Sequence, residues 1–327
     1  MVGQLSRDPQ VLMAEAVAGS RVALARLLTM VERGGADSEA VAALSYRAPI
    51  PYTVGLTGAP GAGKSTLTDR LITTVRTGWP AVEGCEAEPL DQVAVLAIDP
   101  SSPFTGGAIL GDRVRMQEHA TDPTVFIRSM ATRGHLGGLS LAVPDAIRTL
   151  GAAGMPVVLV ETVGVGQMEV DVARATDTTV VVMNPGWGDS MQANKAGLLE
   201  IADIFVINKA DRPGVKEARR DLEQMLDLSS LGSWRPPIVE TVAAKGEGTD
   251  DLWEQVALHR AHLERNDLLV TQRAGRLDDF LARVVAAMVE RQVAELRASD
   301  RYSATMAEVA AGVIDPYRAA AMLLGDA

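Results

Sequence analysis

The stretch Gly58-Ala59-Pro60-Gly61-Ala62-Gly63-Lys64-Ser65 follows an apolar run and precedes a helical pattern that begins near Ser65. It fits the spacing G-x-x-x-x-G-K-[ST], in the strand–loop–helix context that this motif requires. Glycines let the backbone curl so that successive N–H groups point at phosphate oxygens, and the helix N-terminus adds a partial positive charge. We expect Lys64 to reach the β- and γ-phosphates and the Ser65 hydroxyl to ligate Mg²⁺. The predicted nucleotide contacts in this loop are Gly58, Ala59, Pro60, Gly61, Ala62, Gly63, Lys64, Ser65 and Thr66.

Outward from this loop, six short apolar runs alternate with helical stretches. Each run is nearly continuous in Val, Ile and Leu, which is typical of parallel strands that are covered on both faces. Their alternation with helices predicts βαβ units, and therefore an α/β fold with an open, doubly wound, mostly parallel sheet. The six predicted strands are 53–56, 93–98, 157–160, 179–183, 204–207 and 238–242.

Helical extensions flank this alternating region on both sides. Before residue 48, apolar residues recur at helical spacing, and Gly34-Gly35 is a stop signal. Beyond about residue 265 there is a helical apolar stripe, which either packs on its own domain or forms a subunit interface. We predict an N-terminal helical extension in 1–47, a P-loop domain in 48–265 and a C-terminal helical arm in 266–327. The stripe consists of Leu277, Phe280, Leu281, Val284, Val285 and Met288.

Composition limits the functional classes. The 327 residues are 47% apolar, and 42 Asp+Glu against 31 Lys+Arg give a formal charge of −11. An acidic chain without a basic stripe repels phosphate backbones, so we expect no nucleic-acid partner. The single cysteine, Cys85, can form neither an intramolecular disulfide nor a cysteine metal site on its own. No signal peptide and no run of 18 apolar residues is visible, which predicts a cytoplasmic protein that does not span a membrane.

The motif Asn208-Lys209-Ala210-Asp211 directly follows the predicted strand 204–207. A carboxylate such as Asp211 can accept two hydrogen bonds, from the guanine N1–H and from the exocyclic amine, which adenine cannot supply as a pair. A site built around such a pair can reject the analogue that lacks the donors by up to ~10⁴–10⁵-fold. After a buried strand and downstream of a phosphate loop, the motif favours GTP over ATP and predicts a P-loop G domain. Asn208, Lys209 and Asp211 are then nucleotide contacts.

Two acids follow predicted strands between these motifs. Asp99 comes after strand 93–98, and Glu161 comes after strand 157–160. Acids at the carboxyl ends of strands beside a phosphate loop can hold Mg²⁺ directly or through water. The alternative for either acid is an ordinary helix N-cap or a solvated strand end. Gly164, three residues after Glu161, can give a backbone N–H to the γ-phosphate.

The residue after Gly164 is Val165, whose side chain cannot orient a water molecule. Many small GTPases have Gln at this position to hold the attacking water. We therefore expect slow intrinsic hydrolysis that a partner or rearranged loops accelerate, with Gln167 as a substitute for the missing glutamine.

In this order the motifs resemble those of the MeaB/ArgK family. These are G3E/SIMIBI-class GTPases associated with methylmalonyl-CoA mutase, formerly described as LAO/AO transport ATPases. The resemblance spans nearly the whole chain, and its glutamate-led run 161–167 is quite specific to the family. Further matching segments are 99–102, 107–113, 128–134, 185–195, 208–211 and 315–317.

The resemblance implies roles for further residues. Segment 185–195 is an additional switch loop, with Lys195 able to reach toward the nucleotide or the switch acids. Gly164, Gln167 and Lys195 thus join Lys64 as candidate catalytic or switch residues. On the guanine side, the family's loop contacts the base mainly through its backbone, and this chain lacks the Ser that is common there. That loop is formed by Val242, Ala243 and Ala244. The side chains implied around Mg²⁺ are Ser65, Asp99, Asp112 and Glu161.

The family's role is to gate the loading of adenosylcobalamin into the mutase and to protect that enzyme, without binding the corrinoid itself. The resemblance therefore implies an Mg²⁺-dependent GTPase that hydrolyses GTP to GDP and phosphate. It also implies a chaperone of methylmalonyl-CoA mutase, or of a related cobalamin mutase, and a homodimer formed through the C-terminal arm. The alternatives are a P-loop kinase linked to amino-acid transport, a targeting GTPase of the signal-recognition type, and a scaffold that binds GTP without turnover.

Overall fold

The computed structural model describes residues 7–99, 119, 121–131, 138–162, 174–186, 200–229 and 232–325, with backbone alone for residues 99, 131 and 138–140. Within these ranges the chain forms one seven-stranded sheet. Its strands are β1 (Tyr52–Gly58), β2 (Val93–Asp99), β3 (Val125–Ala131), β4 (Val157–Thr162), β5 (Thr178–Met183), β6 (Ile204–Asn208) and β7 (Ile238–Thr241). The strand order is β3-β2-β4-β1-β5-β6-β7, and every pair of neighbours is parallel.

Ten α-helices accompany the sheet in the described ranges. They are α1 (Pro9–Val17), α2 (Arg21–Arg33), α3 (Ala36–Ser45), α4 (Lys64–Val75), α5 (Gly138–Ala152), α6 (Val215–Leu228), α7 (Thr249–Arg265), α8 (Leu268–Arg297), α9 (Asp300–Ala310) and α10 (Pro316–Leu324). The order of strands and helices confirms the predicted α/β fold with a doubly wound parallel sheet. The stop at Gly34 is confirmed as well, because α2 ends there with Gly34 at φ 72°.

All six predicted strands are present, but the sequence prediction missed β3. Among the described strands, β3 lies at one edge of the sheet and pairs only with β2. Its apolar run stops at Ile127, and Arg128-Ser129 then break the pattern. Arg128 donates to Glu32 of α2 at 2.7 Å, so a polar pair covers this edge where a buried strand would carry Val or Ile.

Three apolar clusters cover the two faces of the sheet in its described part, one of them between β5, β6 and α6, and strand periodicity sorts the residues of each strand between the faces. On β4, Leu159 belongs to the cluster that contains residues of α4 and α7, whereas Val158 and Val160 belong to the cluster that contains residues of α1–α3 and α5. Successive strand residues point to opposite faces, so a strand buried on both sides needs apolar residues throughout. The first three helices therefore help to cover the sheet itself.

The chain divides into two compact units, Met1–Arg276 and Leu277–Ala327. The division into 1–47, 48–265 and 266–327 concerns functional segments and stays a prediction. In the described part of the second unit, only Phe280, Thr305 and Ala319 are buried. Four members of the predicted stripe are exposed: Leu277, Leu281, Val285 and Met288. No helix in the described ranges is long and apolar enough to cross a membrane.

Candidate nucleotide-binding site

The carboxyl ends of four strands bring predicted site residues to one edge of the sheet. Strand β1 ends at Gly58, where the phosphate loop (58–65) begins, and β2 ends at Asp99. Glu161 is the last residue but one of β4, and Asn208 is the last residue of β6. Open parallel sheets bind ligands at this edge, because loops and helix N-termini converge there.

The phosphate loop is closed around the ammonium group of its own lysine. Lys64 Nζ donates to the carbonyls of Gly58 (2.6 Å) and Ala59 (3.0 Å), and the side chain is buried. Helix α4 begins at Lys64, so its first N–H groups and its partial positive charge lie beside the loop. Gly63 has φ 94°, and a Cβ there would lie 2.4 Å from Asn208 Nδ2. Only glycine therefore fits at this position.

Ser65 and Glu161, two of the predicted magnesium ligands, are in direct contact. Ser65 Oγ donates to Glu161 Oε1 at 2.5 Å, and Glu161 is 1% exposed. A hydroxyl and a carboxylate are hard oxygen donors, the kind that Mg²⁺ takes in phosphoryl-transfer sites. Along β2 and β4 the pairing places Ala97 opposite Glu161, so the backbone of Asp99 lies at the same edge. The donor set that is described fits a magnesium ion.

Asn208 connects the phosphate loop to the guanine-side loop. Its Nδ2 donates to the Ala62 carbonyl at 2.8 Å, and its Oδ1 accepts from Thr241 Oγ1 and from Ala243 N–H, both at 3.1 Å. Asn208 and Thr241 are buried and are register partners on β6 and β7. The carboxamide is thus used on both sides, as a brace between two loops of the site.

Lys209 and Asp211 follow the brace on the surface. Lys209 has φ 60°, a conformation that costs a non-glycine residue about 1–3 kcal/mol. Its Nζ donates to the Gly61 carbonyl at 2.7 Å, which holds the side chain along the phosphate loop. Asp211 is exposed, so its carboxylate is open to a ligand.

Backbone donors of the guanine-side loop are almost all engaged within the protein. The N–H groups of Val242, Lys245 and Gly246 donate to backbone carbonyls, and that of Ala243 donates to Asn208. Of residues 242–246, only Ala244 has an N–H without an acceptor in the described part of the chain, and the residue is exposed. This N–H is therefore open to an acceptor from a ligand.

Several predicted residues lie outside the described ranges: Asp112, Gly164, Gln167 and Lys195. The structure does describe His259 and His262, whose i,i+3 spacing permits a shared metal. The ring nitrogens of His259 contact Thr178 and Asp203, and those of His262 contact Ser233 and Asn266. Within the described ranges no three His, Cys, Asp or Glu side chains form a metal cluster.

Sequence reasoning missed Thr241, which donates to the guanine-motif asparagine. The signal was present, because Thr241 is a polar residue near the carboxyl end of the predicted strand 238–242. Side chains in that position face the ligand edge of a parallel sheet. What the sequence could not give was the neighbour, since it does not order β6 next to β7.

Known proteins with similar sequences identify the family to which this chain belongs. The sequence model of the family described as methylmalonyl Co-A mutase-associated GTPase MeaB matches residues 24–298. The chain belongs to the MeaB family. GTPase ArgK of Escherichia coli K12 is 38% identical over 249 residues, which are 73% of this chain and 72% of that protein. A Pyrococcus abyssi protein with a provisional GTPase name is 48% identical over 314 residues, 94% of this chain and 93% of its own.

Two further matches of this MeaB-family chain bear on fold and partnership. A crystal structure of an LAO/AO transport system kinase has a TM-score of 0.67 and 26% identity, and covers 98% of this chain and 99% of its own. The structural match thus extends over nearly the full length of both chains. The fused isobutyryl-CoA mutase of Cupriavidus metallidurans is 41% identical over 213 residues, which are 64% of this chain but 19% of that much longer protein.

Proposed function

We propose that this protein is an Mg²⁺-dependent GTPase that hydrolyses GTP to GDP and phosphate. The observation that carries the proposal is the brace at Asn208, which joins the phosphate loop to the loop of Ala244 and leaves Asp211 exposed beside it. A triphosphate on the phosphate loop and a guanine at Asp211 and Ala244 would occupy two ends of one connected network. Membership of a GTPase family supports the same reaction.

Each side chain of the site has a distinct task in this proposal. Lys64 exchanges the loop carbonyls of Gly58 and Ala59 for phosphate oxygens, since its ammonium is already in the loop. Ser65 and Glu161 provide the oxygen donors for the metal, together with Asp99 and Asp112. A magnesium ion held by these residues would neutralise the charge that develops on the transferred phosphoryl group. Gly164 is the proposed contact of the γ-phosphate and Gln167 of the water, and Lys195 is proposed to reach toward the nucleotide or the switch acids.

Turnover without a partner is proposed to be slow. Val165 stands where many GTPases have the glutamine that orients the attacking water, and an alkyl side chain cannot take that role. A residue from a partner, or a rearrangement of 161–167 and 185–195, would then complete the site. This makes the protein a switch whose GTP state persists until a partner is engaged.

The proposed partner is methylmalonyl-CoA mutase or a related cobalamin-dependent acyl-CoA mutase. The family description names the first, and a relative that is a fused isobutyryl-CoA mutase contains a region 41% identical to this chain. Fusion of two activities in one chain keeps them at high effective concentration. We propose that GTP binding and hydrolysis gate adenosylcobalamin loading into the mutase and protect it, with the corrinoid bound by the mutase alone.

A homodimer through the C-terminal arm is part of the same proposal. The second unit buries three residues in its described part, whereas Val289, Val313 and Tyr317 are 51%, 70% and 89% exposed. A helical unit with so small a core gains stability mainly by covering such side chains with another surface. We further propose a cytoplasmic protein without nucleic-acid or membrane partners, because an acidic chain repels phosphate groups.

The test is steady-state turnover of GTP, with ATP as the control nucleotide, in the absence and presence of apo and holo methylmalonyl-CoA mutase. We expect slow GTP turnover that the mutase stimulates and no comparable ATP turnover. Because one relative is a fused isobutyryl-CoA mutase, isobutyryl-CoA mutase is the second client to test in the same assay. Equal GTP and ATP turnover would contradict the guanine assignment, and failure of both mutases to stimulate would contradict the client.

A P-loop kinase is the second candidate, because the solved structure with the full-length match is named a transport system kinase. A kinase moves phosphate to an acceptor rather than to water. The same assay with radiolabelled GTP or ATP and added lysine, arginine and ornithine distinguishes the two. Label on an amino acid would favour the kinase, and label released only as inorganic phosphate would favour the GTPase.

A further inference from the structure

The amino end of the sheet holds a buried carboxylate that the proposed reaction does not use. Asp177 directly precedes β5 and is 3% exposed. It accepts hydrogen bonds from Arg273 Nε at 3.0 Å, from Arg273 Nη2 at 2.7 Å and from the Arg276 guanidinium. Both arginines lie in the first turns of α8. A bidentate guanidinium–carboxylate pair fixes geometry as well as charge.

Asp177 also holds the start of β1. Its Oδ2 accepts from the Thr53 N–H at 3.0 Å and from the Thr53 hydroxyl at 2.9 Å, and its own N–H donates to Thr53 Oγ1 at 2.8 Å. Arg273 further donates to the Pro51 carbonyl at 3.1 Å. Thr53, Asp177, Arg273 and Arg276 thus form one joint, here called the α8 clamp, that binds a helix to two adjacent strands.

The charge of the clamp is stable at neutral pH. Burial alone would raise the pKa of Asp177, but the hydrogen bond from Arg273 and the charges of Arg276 and Arg273 outweigh it and hold that pKa below its ordinary value. The carboxylate is therefore ionised whenever the protein is folded near neutrality. Loss of either partner would leave a buried charge uncompensated, which is strongly unfavourable.

The same two strands meet again at the phosphate loop. The β1–β5 register runs without interruption from Val54 opposite Thr178 to Gly58 opposite Val182. A Cβ on Gly58 would lie 2.0 Å from the Val182 carbonyl, so there is no slack between the strands at this point. Close-packed strands transmit a displacement rather than absorb it. A shift of β1 against β5 at Thr53 therefore moves Gly58, whose carbonyl contacts Lys64.

We infer that Arg273 and Arg276 are positioning residues of the nucleotide site, which act through Asp177 and Thr53 to fix β1, and with it the phosphate loop, against β5. The inference rests on the proposed guanine-nucleotide site. Helix α8 runs without a break from Leu268 to Arg297. The affinity for nucleotide consequently depends on how the first turns of this helix are held.

The test compares clamp variants with a matched ion pair elsewhere. The clamp variants are Asp177→Asn and the double variant Arg273→Lys/Arg276→Lys, which keeps the charges but loses the guanidinium forks. The control is Arg128→Lys, because Arg128 and Glu32 are similarly enclosed (17% and 10% exposed, against 22% and 2% for Arg273 and Asp177) and join a helix to the edge strand β3. Each variant is measured for its melting temperature and for its Kd for a fluorescent N-methylanthraniloyl-GDP.

All variants are expected to melt at lower temperature, but only the clamp variants should bind GDP more weakly, by about 5-fold to 150-fold, the usual range of coupling between sites. Coupling is reciprocal, so GDP should slow hydrogen exchange at the Thr53 and Asp177 amides of the wild-type protein.

Folded clamp variants that bind GDP with wild-type affinity would overturn the inference. If Asp177→Asn does not fold, the GDP affinity of the Arg273→Lys/Arg276→Lys variant decides the question. Wild-type protein that binds no GDP would overturn the proposed function and this inference together, whereas wild-type affinity in every variant removes the inference alone.

Discussion

At the carboxyl end of the sheet, the buried ammonium group of Lys64 donates to backbone carbonyls of the phosphate loop, whereas at the amino end the guanidinium groups of Arg273 and Arg276 donate to a buried carboxylate. Lys64 and Asn208 donate to carbonyls of Gly58, Ala59 and Ala62. At the opposite end, Asp177 is matched by Arg273 and Arg276. The two ends of the same strands thus bury charge in different ways.

The difference separates groups that are available for a ligand from groups that maintain the fold. A backbone carbonyl is a weak partner for an ammonium group, and a phosphate oxygen can replace it without leaving a buried charge unmatched. A guanidinium–carboxylate pair is stronger, and separating it is costly. Substitutions at the carboxyl end should therefore change function with little loss of stability. Substitutions at the amino end should lower stability, and those in the α8 clamp should also weaken nucleotide binding.

Asp211→Asn is expected to give the largest functional change. An amide in place of the carboxylate loses one of two acceptors for guanine and gains a donor that suits the 2-oxo group of xanthine. The ratio of GDP to XDP affinity should shift by about 10⁴-fold, toward the limit for sites that reject an analogue lacking a hydrogen-bond partner. Titration calorimetry with both nucleotides measures it.

Because Asp211 is exposed, the melting temperature of that variant should stay near the wild-type value. Asp221→Asn, an exposed acid on α6 that is away from the proposed site, is the matched control and should leave the ratio unchanged. An unaltered GDP/XDP ratio in Asp211→Asn would remove the guanine-reading role of this carboxylate.

Lys64→Ala is expected to lower GTP turnover by about 10²–10³-fold, the usual effect of removing one preorganised donor to the transition state. The free energy of unfolding should change far less, because the ammonium group contacts carbonyls that water can satisfy. Lys245→Ala is the control, because Lys245 is a lysine of the guanine-side loop whose side chain is exposed, whereas that of Lys64 is buried. Turnover within twofold of wild type in Lys64→Ala would contradict the task assigned to the phosphate-loop lysine.

How far the sequence could predict this molecule depended on the range of the interactions. The phosphate loop, the guanine motif and six strands are local patterns, and each was recognisable from contiguous residues. The α8 clamp joins Thr53, Asp177 and Arg273, which are separated by 124 and 96 positions, and no periodicity relates them. The same holds for Thr241, whose role depends on which strand lies beside β6.

Strand β3 was missed although it is a contiguous segment of the chain. The prediction relied on continuous apolar runs, which central strands need because both faces and both edges are covered. An edge strand meets solvent or a helix on one side and tolerates Arg128 and Ser129. The apolar-run criterion consequently found the five central strands and the edge strand β7, but missed β3 at the other edge.

His259, at the amino end, provides an effect on stability rather than on the reaction. Its ring is 2% exposed and contacts Thr178 Oγ1 at 2.9 Å. Burial, and to a lesser extent the nearby His262, lowers the pKa of His259 from 6.5 to about 3. Since the unfolded chain takes up this proton more readily, the stabilisation is present above pH 6.5 and is lost as the pH falls toward 3, by up to about 1.4 kcal/mol per pH unit.

Urea unfolding at a series of pH values between 7.5 and 4 checks this sign. His259→Asn should be less stable than wild type at pH 7.5, and the difference should shrink on acidification because asparagine does not titrate. His262→Asn, three positions further along α7, should change the pH dependence much less than His259→Asn does, because burial is the larger cause of the His259 shift. A difference between His259→Asn and wild type that is constant across the series would contradict the assignment of a neutral, buried His259.

The most direct test of the account is the affinity of the purified protein for GDP and for ADP, measured by calorimetry in the presence of Mg²⁺. The exposed Asp211 and the unengaged N–H of Ala244, next to the phosphate loop that Asn208 braces, predict GDP binding at least about 10²-fold tighter than ADP binding. Equal affinities, or a preference for ADP, would contradict the claim that this edge of the sheet reads guanine.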